Sequence, residues 1–398
     1  MSDAFQNGRT VIDTIESEGY EAYFVGGCVR DYLIGRAIKD IDITTNATPD
    51  TVESLFDKTI DIGKKHGTII VMIDDEQIEV TTYRTETTYS DFRRPDEVSF
   101  TSSLDEDLKR RDFTVNAIAM TSDMSVIDPN KGKVDIERKL IQTVGDAEER
   151  FTEDALRMLR ALRFSVQLQF DISEDTLIAI KRYAHLIEHV SIERIVVEVN
   201  KMYETNEIYN FKSTIIDSGI LQYVPVLKQI DLNLFESLQT DSLLTELAAQ
   251  IYFNHVNDNA LKELRISNDA ITYIKNMVAL MQATKSKYKD ARLLAYKFTK
   301  ERLDDCILLI DKNRTLLEDI DLKFLVEAQN AHPQLPIYSA SDLAIDGHDI
   351  LKITNRPAGR WLREVIQALE THVLLGELNN DKDSLTDWVK THDDAKLI

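Results

Sequence analysis

The chain has 398 residues, 43% of them hydrophobic and 29% charged. That length suits two to four structural units of about 100–200 residues, with a composition ordinary for a globular protein with a sizeable core. The net charge of −22 argues against a general nucleic-acid binder, whose footprint is basic, although a local basic groove is compatible with it. With only 13 Gly and 7 Pro, collagen-like and low-complexity classes are excluded. The two cysteines, Cys28 and Cys306, lie far apart and outside any CxxC spacing. They make neither a disulfide framework nor a thiolate zinc site, and they suit a reducing compartment. No apolar run reaches the about 18–20 residues needed to cross a bilayer. The N-terminus has no basic stretch leading into an apolar one, so a cytoplasmic protein is expected.

In chain order, Val11, Ile12 and Ile15 predict a helix ending near Gly19, and Ala22 to Val25 a short buried strand. Gly26-Gly27 turns the chain into a short helix over Val29 to Leu33. Ile38 to Thr44 alternates as a half-buried strand does, and Ile69 to Ile73 with Gln77 to Thr82 reads as a hairpin across Asp74-Asp75-Glu76. Residues 83–106, polar and of mixed charge, predict a mobile loop. From about Asp146 helical spacing takes over, beginning with Ala155, Leu156, Leu159, Leu162 and Val166. Breaks fall at Asp171, Gly219 to Pro225, and His332-Pro333-Gln334-Leu335-Pro336.

Chemistry concentrates in Phe24-Val25-Gly26-Gly27-Cys28-Val29-Arg30-Asp31 and Lys39-Asp40-Ile41-Asp42-Ile43. Side chains two apart on a strand share a face, so Asp40 and Asp42 project together. Paired carboxylates repel unless a divalent cation neutralises them. Mg²⁺ commonly takes one or two carboxylates plus substrate phosphates. A Gly-Gly turn lets backbone N–H groups approach phosphate, and Arg30 adds a fixed charge. Alone, Asp-x-Asp is a solvated strand edge and Gly-Gly a plain turn. Their combination at this spacing points to a metal-bound nucleoside triphosphate.

The run from Phe24 to Asp42 resembles the signature of the nucleotidyltransferase superfamily related to DNA polymerase β. It is closest to the class II branch, which holds tRNA nucleotidyltransferases and bacterial poly(A) polymerases. Arg110-Arg111-Asp112-Phe113-Thr114-Val115-Asn116-Ala117-Ile118-Ala119 resembles that branch's second motif, and Glu153 to Phe164 its base-recognition motif. Ser191-Ile192-Glu193-Arg194-Ile195 with Glu198 resembles its neck motif. The fold class implied is α+β: an N-terminal nucleotidyltransferase head, a small mixed β-sheet with helices (1–145), followed by an all-α neck (146–203), body (204–335) and tail (336–398).

The resemblance implies template-independent addition of C, C and A to the 3′ end of tRNA from CTP and ATP, with Mg²⁺ held by Asp40 and Asp42. The 3′-hydroxyl would attack the α-phosphorus and release pyrophosphate, one metal ion activating the hydroxyl and the other stabilising the leaving phosphate. Glu79 is the candidate third carboxylate, although any exposed strand glutamate would look the same. Gly27, Arg30, Arg111, Asp112, Asp154, Arg157, Arg160 and Arg163 are the candidate nucleotide-binding residues, with Asp112 near the ribose or, alternatively, capping a helix. Asp154 and Arg157 are i,i+3 and are expected to share one helical face, where the carboxylate accepts the exocyclic amine of C or A and the guanidinium donates to the ring acceptor. U and G would meet acceptor against acceptor and donor against donor. The bland alternative is an ordinary helix in which the arginines pair with Glu149, Glu153 and Asp154.

The segment Arg84 to Phe100 has the full length expected for complete CCA addition, whereas CC-adding relatives have it shortened. CC- or A-adding enzymes and poly(A) polymerases are the alternatives. Two further readings, a tRNA binder that has lost catalysis and a protein-modifying nucleotidyltransferase, fit less well. Both Asp40 and Asp42 are present, and modifying proteins needs neither the Asp154–Arg157 helix nor the later helices. Basic residues between Lys285 and Arg302 are expected either to grip tRNA phosphates or to form a solvated helix face. At Asp128-Pro129-Asn130-Lys131-Gly132 the chain departs from the Gly-Gly pair more usual in relatives. No membrane association is expected, and the resemblance includes homodimers.

Overall fold

The computed structural model describes residues 4–86, 98–286 and 289–392. It divides into two compact units, Met1–Glu236 with Ala260–Ile266, and Ser237–Asn259 with Ser267–Ile398.

The first unit opens with α1 (Gln6–Ser17), whose Val11, Ile12 and Ile15 are buried. Then come β1 (Ala22–Val25), α2 (Gly27–Ile34), β2 (Ile41–Thr45), α3 (Pro49–Leu55), β3 (Thr59–Gly63), β4 (Thr68–Ile73) and β5 (Glu76–Thr82). The hairpin between β4 and β5 turns at Asp74 and Asp75, with φ of 47° and 66°. Two left-handed residues are what a two-residue turn needs to match strand twist. Continuing, β6 (Arg84–Glu86) pairs antiparallel with β7 (Val98–Phe100), and α4 (Leu104–Lys109) follows, capped by the Ser103 side chain. The expected loop over 83–106 is therefore part ladder and part helix at its two ends. Tyr89 to Pro95 lies outside the described residues. Next are β8 (Ala119–Met120), β9 (Val126–Ile127) and α5 (Gly132–Arg138).

Seven strands form one sheet in the order β3-β4-β5-β2-β1-β8-β9. Its centre is β2, parallel to β5 and antiparallel to β1. Ile41, Ile43, Ile78 and Val80 are buried, so strand alternation turns Asp42 and Glu79 to the opposite face. Those two residues are direct register partners. Strand β3 and helix α3 have no counterpart in the sequence reading. Thr59–Gly63 does alternate, but Ile60 and Ile62 both stay exposed on an edge strand rather than packing into the core.

Helices take over at α6 (Ala147–Glu153), α7 (Leu156–Leu168), α8 (Glu174–Tyr183) and α9 (Ile192–Tyr203). The face of α7 that carries Leu159, Leu162 and Val166 is buried, and α7 packs on α9. The second unit is helical. Ser242, Ser267, Asp290, Thr299 and Asp321 each accept a backbone N–H at the start of their helices, which satisfies donors that have no intrahelical partner. No helix among the described residues is long and apolar enough to cross a membrane.

Candidate active site

Gly26 ends β1 with φ 76° and ψ −131°, a conformation for glycine. A Cβ there would lie 3.2 Å from Nη1 of Arg111 and 3.7 Å from Oδ2 of Asp42. The backbone at this turn thus sits directly against a carboxylate and a guanidinium from two other segments. Gly27 begins α2. A cleft of about 400 Å³ is lined by Gly27, Arg30, Asp40, Asp42, Arg163 and Lys201, among others. Asp40 stands exposed just before β2, and Asp42 is half-buried. Burial first, then Glu79 and Asp40, push the Asp42 carboxyl up to about 6, against the pull of Arg111 and Arg30. Burial likewise raises the Glu79 carboxyl, with Arg84 and Arg111 opposing it.

Crowded, oxygen-only carboxylates fit a hard divalent cation. Among the described residues no three Asp, Glu, His or Cys converge closely enough to hold a metal by themselves. The donor set thus fits a cation completed by water or substrate oxygens rather than a closed structural site.

Arg30 is buried and held on three sides. Its guanidinium donates to Asp31 (3.0 Å) and to Oδ1 of Asn116 (2.6 Å), and lies 5.3 Å from the Phe164 ring centre. Arg111 reaches Asp107 at 3.3 Å, and Asp107, wholly buried, also takes both Nε and Nη2 of Arg110. Sequence reasoning missed Asp107 and Asn116. Asn116 lies inside the second motif, where its signal was a polar residue among apolar neighbours; Asp107 lies just before it in the charged run Asp105 to Arg111, where nothing local marks it out from its acidic neighbours.

Asp112 is enclosed. Its Oδ2 accepts from Nε and Nη2 of Arg160 (2.8 and 2.5 Å), while Oδ1 accepts from the Phe113 N–H (2.8 Å) and Asn116 Nδ2 (3.1 Å). Burial alone would raise this carboxyl, but Arg160, Asn116 and Arg157 hold it down at about 2.

The expectation that Asp154 and Arg157 share one helical face is corrected. Asp154 has φ −135° and ψ 102° and sits in the break between α6 and α7. Its side chain prefers capping: Oδ1 accepts the Leu156 N–H at 3.1 Å, and Oδ2 faces Arg194 at 3.4 Å. A short acidic side chain competes well for the unpaired N–H groups at a helix start. Arg157 pairs instead with Glu153 (2.6 Å) and donates to the Arg110 carbonyl (3.2 Å). Arg160 goes to Asp112, and Arg163 to Glu198 (2.6 Å) with its guanidinium 4.0 Å from the Phe164 ring centre. The three arginines therefore each take a carboxylate partner rather than forming one bare basic ridge.

At the departure from Gly-Gly, Lys131 adopts φ 61° and Gly132 starts α5. The Asp128 carboxylate accepts the N–H groups of Gly132 and Lys133 at 2.8 and 2.9 Å. A Cβ on Gly132 would be 2.2 Å from the Thr114 carbonyl oxygen. One glycine is sterically obligatory here; lysine takes the other position at the cost of a left-handed backbone.

Between Lys285 and Arg302 most cations are already paired: Lys285 with Asp319 (2.6 Å), Lys289 with Asp321 (2.8 Å), Lys300 with Asp304 (2.7 Å) and Arg302 with Asp305 (3.4 Å). Lys287 lies outside the described residues.

The chain matches the poly A polymerase head domain over residues 22–142, a probable RNA and SrmB-binding site of polymerase A over 169–230, and a putative tRNA nucleotidyltransferase domain 2 over 239–389. It is 42% identical to a CCA-adding enzyme of Staphylococcus haemolyticus, covering 98% of both chains. It is 40% identical to one of Bacillus subtilis, covering 98% of this chain and 99% of that one. The crystal structure of the Bacillus stearothermophilus CCA-adding enzyme in complex with CTP superposes with a TM-score of 0.86 at 33% identity, over 99% of this chain and 98% of that one. Identity of this size along the full length, over a head that brings Asp40, Asp42 and Arg30 to one cleft, places the chain in the family of CCA-adding enzymes, which are tRNA nucleotidyltransferases.

Proposed function

We propose that the cleft lined by Gly27, Arg30, Asp40 and Asp42 binds CTP and ATP in turn and adds C, C and A to the 3′ end of tRNA, releasing pyrophosphate. The carrying observation is the pair of carboxylates set beside a Gly-Gly turn and a fixed guanidinium in one cleft. Asp40 and Asp42 would hold Mg²⁺, which supplies charge neutralisation at the reacting phosphate and a more acidic hydroxyl. Gly27 and Arg30 orient phosphate oxygens. Arg111, held by Asp107, contributes a fixed positive charge beside Asp42, and Glu79 is the third carboxylate on that face. Asp154, Arg157, Arg160 and Arg163 shape the nucleotide pocket from the neck side, and Asp112 from the head.

Asp154 and Arg157 are engaged with Arg194 and Glu153, so a base read by this pair competes with those internal partners. We divide the labour as catalysis in 1–145, base selection in 146–203, and tRNA binding in the helical body (204–335) and tail (336–398). A dimer in the cytoplasm, where unpaired thiols persist, is part of this reading.

The test uses purified protein, Mg²⁺ and a tRNA transcript ending at the discriminator base. CTP and ATP are supplied separately and together, with products resolved to single nucleotides. Three nucleotides added only with both, and none after Asp42→Ala, support the reading. Arrest after two refutes it in favour of CC addition, and a long A tail points to a poly(A) polymerase.

A further inference from the structure

Four polar side chains from three segments form a continuous chain: Arg30 on α2, Asp112 and Asn116 of the second motif, all three buried, and the half-buried Arg160 on α7. Arg30 Nη1 donates to Asn116 Oδ1 at 2.6 Å, and Asn116 Nδ2 donates to Asp112 Oδ1 at 3.1 Å. Arg160 donates to the other Asp112 oxygen at 2.8 and 2.5 Å. Both guanidiniums lie 5.3 Å from the centre of the Phe164 ring, so the ring closes the circuit from the other side. Asn116 is 6% exposed and Asp112 8%.

A primary amide suits position 116. One end must accept from a cation and the other must donate to a carboxylate, and an amide offers both. Its orientation is settled by those neighbours, because the flipped amide would set donor against donor at Arg30 and acceptor against acceptor at Asp112. Aspartate would keep the Arg30 contact but oppose Asp112 with a second negative charge. Leucine would fill similar space and remove one hydrogen bond from each neighbour at a buried site, leaving Arg30 with Asp31 and Asp112 with Arg160 and the Phe113 N–H.

We propose that Asn116 is a positioning residue that couples Arg30, on the wall of the catalytic cleft, to Arg160, on the neck helix. The grip on the nucleotide's phosphates and the setting of the base-recognition helix then change together rather than independently. This rests on the reading of the cleft as a nucleotide site. Buried hydrogen-bonded networks are where pairwise effects fail to combine independently, so the coupling is measurable as such.

The experiment measures equilibrium affinity of the full chain for CTP and for ATP in Arg30→Lys, Arg160→Lys and the double variant, first with Asn116 and then with Asn116→Leu. With Asn116 present, the two lysine effects should depart from a simple product by about fivefold. In the Asn116→Leu background they should multiply to within about twofold. Asn116→Asp, which retains a partner for Arg30, should lose the coupling while thermal melting reports a folded chain, and it serves if the leucine variant does not fold. Multiplicative effects in the presence of Asn116, or coupling that survives its replacement, overturn the proposal. A merely structural Asn116 would lower melting temperature and weaken binding without changing how the arginine effects combine. If the unsubstituted protein extends tRNA yet shows no coupling, this inference alone falls. If it binds neither nucleotide and extends nothing, the nucleotide reading falls and this inference with it.

Discussion

Replacing Asp42 by asparagine should stabilise the metal-free protein, and increasingly so as pH rises. The Asp42 carboxyl sits at about 6 in the fold, from an ordinary 3.8, chiefly because burial and then Glu79 disfavour its charge. The native state therefore prefers the protonated form. Below pH 3.8 both folded and unfolded chains are protonated there and nothing is lost. Between pH 3.8 and about 6 the unfolded chain ionises first, and native stability declines until the folded group ionises as well. Above about pH 6 the cost is constant.

Moving the carboxyl from 3.8 to about 6 corresponds to about 3 kcal/mol. Asp42 is half-buried, and solvent screening reduces this to about 1–2 kcal/mol. For a unit of this size that is about 3–6 °C in melting temperature. Thermal melts of wild type and Asp42→Asn in EDTA, from pH 4.5 to 8, should draw further apart up to about pH 6 and hold a separation of that amount above it. Adding millimolar Mg²⁺ at pH 8 should raise the wild type, since a ligand of the native state stabilises by mass action, and leave the variant nearly unmoved. Parallel curves across pH, or an equal Mg²⁺ response in both proteins, would refute the account of crowded carboxylates.

Gly132→Ala should destabilise the first unit by about 3 kcal/mol or more in urea melts, since its Cβ meets a backbone carbonyl at 2.2 Å; a loss under 1 kcal/mol would contradict the packing described. Lys131→Gly should instead be neutral to stabilising by about 1 kcal/mol, the relief of left-handed strain outweighing the extra freedom of the unfolded glycine. Neither thiol should react with a water-soluble disulfide reagent in the native protein, because Cys28 and Cys306 are 2% and 0% exposed and burial pushes them up to about 11 and about 12. Rapid stoichiometric labelling without denaturant would contradict this. Lys300→Glu should change tRNA binding less than Lys297→Glu, since Lys300 is already paired with Asp304; equal losses would restore the whole segment as a phosphate-binding face.

Local patterns determined a good deal of this protein unaided. Period-two alternation placed Asp42 on one face of β2 and Glu79 on one face of β5, and apolar residues at helical spacing located α1 and α7. Order and spacing of the motifs carried the family, because glycine at a strand end, paired carboxylates and clustered arginines are each demanded by phosphate chemistry. Tertiary structure decided what short-range patterns do not encode. The parallel pairing of β2 with β5 set Asp42 opposite Glu79 across a separation that no local period spans. Capping competition drew Asp154 out of the helix that i,i+3 spacing assumed. The arginines of α7 chose Glu153, Asp112 and Glu198 as partners. In the basic segment near residue 290, Lys285 and Lys289 are taken up by Asp319 and Asp321 some thirty residues away, while Lys300 and Arg302 pair within their own helix. Charge pairing and burial depend on which segments the fold brings within a few ångströms, and that information resides in the packed chain rather than in any window of its sequence.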